Sequence, residues 1–471
     1  MSAGQKLRTL DNANLSSFDW TSIEPNIYGD WLGQRDDMFS TWPAIGTKKP
    51  EPGQITVFKV LSRGVETARD AWVYNFSALK LEANVRRLVD NYNRELPKFD
   101  AYCNEQGITK RTEATVTSFL GTHPYAADPS YIKWSRSLRT HMARGTHAKF
   151  SSAQIANSTY RPFHSSYVYF DRMLNHERGQ TPSMFPTPHH SNTGIVLTGA
   201  ASNFRFTPFI TDHLPDLHIL DTAQFFPRWT YQKIDSADGG FDLSGSTDVD
   251  EYGYQRVDNV TDEILATYRE AVGPQVSKDD IFYYVYGQLH DPHYRITYAA
   301  DLKKMLPHIP TPKSRERFET VTRIGRSLAD LQTGVEKAEP YPLTIELKKG
   351  SSAQDRETWR VSKMKWARLR DDETGKLVND PTTLIYNSKV TISNIPAEAD
   401  DYLIGSRSAL GWVIERWQVK TDKTSGIIND PNDWCDEVGD PKYIVDLVAR
   451  VTTVAMQTNR LVDLLGGLDE E

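Results

Sequence analysis

DPSYIKWSRSLRTHMARGTHAKFSSAQIANSTYRPFHSSYVYFD, residues 128–171, passes from one periodicity to another within a single stretch. Ser130 follows Pro129 and can cap a helix that runs to Gly145, a residue suited to ending it. At 100° per residue, Tyr131, Trp134, Leu138 and Met142 fall on one side of that helix, and Lys133, Arg136, Arg139 and Arg144 on the other. From Tyr160 to Asp171 the pattern becomes strand-like around Tyr167, Val168, Tyr169 and Phe170. A helix feeding a strand in this way predicts a mixed α+β chain.

The regions on either side agree. Ile55, Val57 and Val60 frame a strand, Ala78–Tyr92 carries apolar residues at helical spacing, and Thr109–Phe119 reads as a second helix or its approach. Gly194–Gly199 is a short buried-strand candidate. The acidic, Gly/Ser-rich run from Asp235 to Asp262 reads as a loop or seam. Four helical stretches follow, at Asp262–Val272, Lys278–His290, Tyr294–Leu306 and Ser314–Leu331; Tyr341–Ile395 then predicts a small sheet and Asp440–Leu465 a closing amphipathic helix. The expected organisation is an N-terminal connector (1–128), a recognition domain (129–245), a helical subdomain (246–335), a small β-rich subdomain (336–400) and a helical C-terminus (401–471).

A chain of 471 residues with 38% hydrophobic residues, 11 Trp and 22 Tyr can bury several cores without covalent staples. Cys103 and Cys435 alone provide neither a disulfide framework nor a Cys-rich zinc site. No stretch approaches the ~20 apolar residues of a membrane span, so the expected compartment is the cytoplasm.

The net charge of -7 opposes indiscriminate polyanion binding, so a basic face has to be local. Between Asp128 and Asp171 there is no Asp or Glu, yet the interval holds Lys133, Arg136, Arg139, Arg144, Lys149 and Arg161 with His141, His147 and His164. Such a row can neutralise phosphates along a duplex while nearby side chains read bases. The competing reading is a solvated helix whose carboxylate partners come from elsewhere in the fold. Arg161 and Arg172 flank the strand, beside Tyr160, and could read guanine, clamp a phosphate or serve as ion-pair partners. Phe163, Val168 and Phe170 are read as core. If neither arginine reads bases, the loops between Thr181 and Tyr231 are the next candidates.

SRGVETARDAWVYNFS (62–77), YRPF (160–163), FYYVYGQLHDPHYR (282–295) and SALGWVIERWQVKTDKTSGIINDPNDW (408–434) together resemble the C-terminal part of large type ISP restriction-modification proteins. The resemblance runs from about Trp20 to Leu465. Members of that family join a nuclease, a helicase-like translocase, an adenine N6-methyltransferase and a target-recognition domain. The resemblance implies a double-stranded DNA specificity module, with a methyltransferase and nuclease-translocase as partners in cis or trans. It places residues 1–128 after the position of a methyltransferase core, and Arg63, Arg69, Asp70, Trp72 and Asn75 in the joining segment, where they touch DNA or pack. The sequence has no Gly-x-x-x-x-Gly-Lys-Ser/Thr phosphate loop and no Asn/Asp-Pro-Pro-Tyr motif for a flipped adenine, so no catalytic residue, cofactor or metal is expected.

Two rival functions come from other classes. Glu346 and Lys348, with Asp330 upstream, form half of a nuclease metal pattern, although a three-residue match is common and an edge strand explains it. The chain could instead be a protein-binding scaffold of the defence complex. His290 with His293, the pair His189 and His190, and the Asp422, Asp430, Asp433 and Asp436 group lack metal-site spacing and are read as turns and caps.

Overall fold

Hydroxyl side chains set where the helices begin. Ser77, Thr112, Ser135, Thr261, Ser277 and Ser314 each accept a hydrogen bond from a backbone N–H of the first turn, satisfying a donor that the helix itself leaves open. The computed structural model describes residues 3–12, 14, 16, 20–200, 202–234, 249–371 and 375–469. Helices and several small sheets alternate along the chain, so the fold is mixed α+β.

Three apolar cores organise the molecule. In the first, the Ala78–Glu105 helix buries Leu81, Val85, Leu88, Tyr92, Leu96 and Phe99 at helical spacing. These meet Phe119 of the Glu113–Thr122 helix and Leu138 and Met142 of the Arg136–Ala143 helix.

In the second core an antiparallel sheet, ordered Ser62–Arg63, Gln224–Pro227, Gly194–Leu197, Pro208–Thr211, packs against the Asp262–Val272, Lys278–Gln288 and Arg315–Thr333 helices. Two of those helices cross at Gly287 and Gly325; a Cβ on Gly325 would lie 2.0 Å from the Tyr283 carbonyl oxygen, so only glycine permits the close approach.

The third core joins two sheets. The first is ordered Tyr74–Asn75, His164–Tyr169, Ile155–Arg161, Leu214–Pro215, and the second Thr344–Leu347, Val390–Ser393, Leu377–Ile385, Lys365–Arg370. The Ala409–Arg416 and Tyr443–Gly466 helices complete it.

Three local expectations are corrected. The basic helix spans Arg136–Ala143 and not Ser130–Gly145. Asp128 takes the Ser130 N–H and its carbonyl takes those of Tyr131 and Ile132, which makes a turn; Ser135 then caps through Leu138 N. Lys133 therefore precedes the helix. The Tyr294–Leu306 stretch is two short helices, Pro292–Thr297 and Ala299–Lys304, that meet at Tyr298. Within the acidic run, residues 235–248 lie outside the described residues, and Tyr254–Asp258 is a strand paired antiparallel with Trp229–Lys233.

Among the described residues no helix is long and apolar enough to cross a membrane. Both cysteines are buried and free.

Candidate nucleic-acid interface

The short basic helix sorts its cations. Arg139 directs Nε and Nη2 to one oxygen of Glu113, at 2.9 and 2.5 Å, so its carboxylate partner does come from another helix. Arg136 is 79% exposed and only 3.7 Å from the same carboxylate. At the C-terminus, Gly145 adopts φ +66° and donates to Met142 O while Thr146 donates to His141 O. This is a Schellman turn, and it leaves Arg144 at the helix edge.

Arg144, Lys149 and Arg172 are exposed and have no carboxylate partner among the described residues; Lys133, half-buried, is also unpaired. Arg144 and Arg172 lie close enough together that both help, after burial, to hold the His141 imidazole below its usual pKa. Arg172 acts likewise on Arg178, a cation that sequence reasoning did not single out and that stacks over Phe170 at 5.1 Å. The helix end and the turn at Asp171 thus form one cationic patch.

Two of the joining-segment residues point inward. Arg69 is buried; it donates to Lys133 O at 3.0 Å, to Ser135 Oγ at 2.5 Å and to Leu174 O. Burial pulls its pKa down to about 10. Asn75 is buried and accepts from Ser77 N at 3.0 Å, and Arg63 pairs with Glu177 and, at 3.4 Å, with Glu66. Arg69 and Asn75 are thus built into the packing, whereas Arg63, its side chain 35% exposed, holds its ion pairs at the surface.

Arg161 also turns inward. It is 8% exposed, pairs with Asp216 at 2.6 Å and lies over the Tyr160 ring at 4.1 Å. Tyr160 in turn donates to Asp70 at 2.8 Å. Burial pushes Asp216 up to about 6 even though Arg161 pulls the other way. The ion-pair reading of Arg161 is the one the geometry carries, whereas Arg172 stays open to solvent.

A cleft of about 700 Å³ opens beside the same strand, walled by Gln154, Asn157, His189, Asn192, Trp229 and Arg256. The loops between Thr181 and Tyr231 form one side of it. His189 stacks on Tyr252 with planes 1° apart and centroids 4.9 Å apart, while His190 bonds Asp250 at 2.9 Å and Thr187 at 2.7 Å. Trp229 is held between Arg228 and Arg256, at 3.7 and 4.3 Å from the ring centroid. Asn192 and His190 are buried and bonded within the fold, whereas Asn157 and Arg256 are exposed and, with Gln154, are side chains of the kinds that can read base edges. The sequence pointed to this wall only through the loops between Thr181 and Tyr231, named as the next candidates for specificity.

Glu346 and Lys348 are exposed at the sheet edge, and Asp330 lies on the Arg315–Thr333 helix. Among the described residues no group of three or more His, Cys, Asp or Glu side chains could hold a metal ion. His290 is buried against Tyr286 O, and Asp422 and Asp430 cap local turns.

The mixed fold thus presents a cationic patch and, along the same strand, a polar cleft. The chain belongs to the Type ISP C-terminal specificity domain family, whose model matches residues 56–447. No curated protein matches it. Among solved structures, it is similar to a nuclease-deletion mutant of the Type ISP restriction-modification enzyme LlaGI in complex with a DNA substrate mimic (TM-score 0.76, 34% identity, 98% of this chain and 37% of that one). The ATP-dependent Type ISP restriction-modification enzyme LlaBIII bound to DNA gives 0.73 and 30%, over 94% of this chain and 25% of that one. A DrdV–DNA complex gives 0.75 and 28%, over 98% and 42%. The chain therefore spans less than half the length of each of these proteins.

Proposed function

We propose that this chain recognises a double-stranded DNA target for a type ISP restriction-modification system in the cytoplasm, and that it does so without a catalytic centre of its own. A methyltransferase and a nuclease-translocase, in the same chain or on partners, would perform the chemistry at the site it selects. The observation that carries the reading is the set of exposed, unpaired cations Arg144, Lys149 and Arg172, next to a cleft lined with base-reading groups. The occurrence of DNA in the similar structures supports it. Lys133 and Arg136, at the other end of the basic helix, would add phosphate contacts, while Arg139, Arg161, Arg63, Arg69, Tyr160 and Asn75 hold the surface in shape.

Each phosphate contact contributes about 0.9 to the slope of log affinity against log salt. Arg144→Gln with Lys149→Gln and Arg172→Gln should therefore lower the slope for duplex binding by about 2 to 3 units and weaken all sequences alike. A folded triple variant with the parent's slope would show that DNA does not lie on this patch.

A further inference from the structure

The segment RSALGWVIERWQVK, residues 407–420, builds a second cationic cluster near the turn that follows Arg161. Ser408 caps the Ala409–Arg416 helix, which buries Leu410, Trp412 and Val413. That burial fixes one indole, and two guanidiniums approach it: Arg407 at 5.9 Å and Arg416 at 5.6 Å from the Trp412 centroid. Neither makes a hydrogen bond or a close ion pair among the described residues, Glu415 attracting both only at longer range, and Arg416 Nε is buried with no acceptor. Lys420 completes the group, with Glu415 at 3.1 Å as its one carboxylate.

Arg161 lies close enough to repel both Arg416 and Lys420, but its own charge is already taken up by Asp216. The ground beneath is rigid. Trp417 Nε1 donates to Phe163 O at 2.9 Å and so anchors a turn in which Phe163 holds φ +54°, a conformation costly for a bulky residue. His164 follows, buried, with both ring nitrogens unpartnered and its ring stacked on Phe76 at 4.6 Å. Arg416 and Lys420 are half-buried and Arg407 is exposed, and the single carboxylate among them, Glu415, leaves an excess of positive charge that an added anion would offset. Guanidinium forks match phosphate oxygens in geometry as well as charge.

We propose that Arg407, Arg416 and Lys420 form a phosphate site that takes a phosphodiester of the same duplex, an inference that rests on the reading above. The Ile155–Arg161 and His164–Tyr169 hairpin connects the two clusters: its turn, at Arg161 and His164, lies by Arg416, and its open end leads to Lys149 and Arg172. Six residue steps of strand cover roughly 20 Å. At 3.4 Å per base pair, that is the length of about six pairs of one duplex.

The test is duplex binding by the full chain across a salt series, with Arg416→Gln, Lys420→Gln and the charge-retaining Arg416→Lys, each read at a temperature where it is folded. Arg416→Gln and Lys420→Gln should each lower the salt slope by about one unit. Arg416→Gln should weaken every duplex by roughly tenfold, and Arg416→Lys by less. The melting temperature of free Arg416→Gln should equal or exceed the parent's, because crowding is relieved.

A parent-like slope in both glutamine variants overturns the site, as does a lowered melting temperature with the slope intact. If inorganic phosphate raises the melting temperature of the parent but not of Arg416→Gln while the DNA slopes coincide, the cluster is a free-anion site and the DNA assignment fails. A parent chain without salt-dependent duplex binding would remove the underlying reading itself, a result distinct from any variant effect.

Discussion

Arg161→Ala should lower the free energy of unfolding by about 3–5 kcal/mol, because it strands the Asp216 carboxylate in a core where Arg161 is its ion-pair partner. The pair is buried on both sides and stands 2.6 Å apart, and Tyr160 and Asp70 extend the network beside it. Replacing both partners by apolar residues, Arg161→Met with Asp216→Leu, should recover most of the loss, since removing a whole buried pair is often close to neutral. Urea denaturation of the three proteins measures this. If the arginine is architectural, the double variant also keeps the parent's DNA preference. A stable Arg161→Ala protein with a relaxed preference at one base position would reverse the assignment and make Arg161 a base reader.

His290→Gln should flatten the acid dependence of stability by about 1.4 kcal/mol per pH unit between pH 6.5 and roughly 3.5. Burial holds the His290 imidazole down at about 3 in the folded chain, with Nδ1 on Tyr286 O at 2.9 Å. The unfolded chain takes up a proton near 6.5, whereas the folded chain does so only near 3. As pH falls through that window the unfolded state binds more protons, and stability is lost. Buried His164, also held well below its usual value, adds a loss of the same sign. Asp216 works in the opposite sense, because a carboxyl raised to about 6 is protonated first in the folded state. Comparing His290→Gln with the parent by urea denaturation from pH 7 to 4 isolates the one group. Parallel curves would mean that His290 is protonated in the native protein.

Much of the fold was legible because the relevant signals are local. Phe318, Val321, Ile324 and Leu328 recur at three and four spacing, and the Arg315–Thr333 helix buries all four. The apolar run beginning at Gly194 is a fully buried strand, and the Tyr443–Gly466 helix closes the chain as its apolar stripe required. The basic helix was misjudged at its start because two serines compete as caps. Asp128 captures Ser130 in a turn, and a capping oxygen is then free only at Ser135.

The site was less legible, because charge pairing is settled across the fold. Glu113 lies 26 residues from Arg139, Asp216 lies 55 from Arg161, and the acceptors of Arg69 lie 64 to 105 away. The acid-free interval marks where cations collect and says nothing of which ones remain free. The Arg407 and Arg416 cluster was hidden for the opposite reason: Glu415 sits within it in sequence, so the local charge reads as balanced, while in space that carboxylate pairs closely with Lys420 and reaches the arginines only at longer range.

Selection of binding sites from a random duplex pool by the unaltered chain tests the central claim most directly. The account predicts enrichment of a single defined motif, with each mismatch costing about 1–3 kcal/mol and affinity falling steeply with salt. A chain that is folded and monodisperse yet enriches no motif, and binds cognate-free duplexes as well as any selected one, would contradict it.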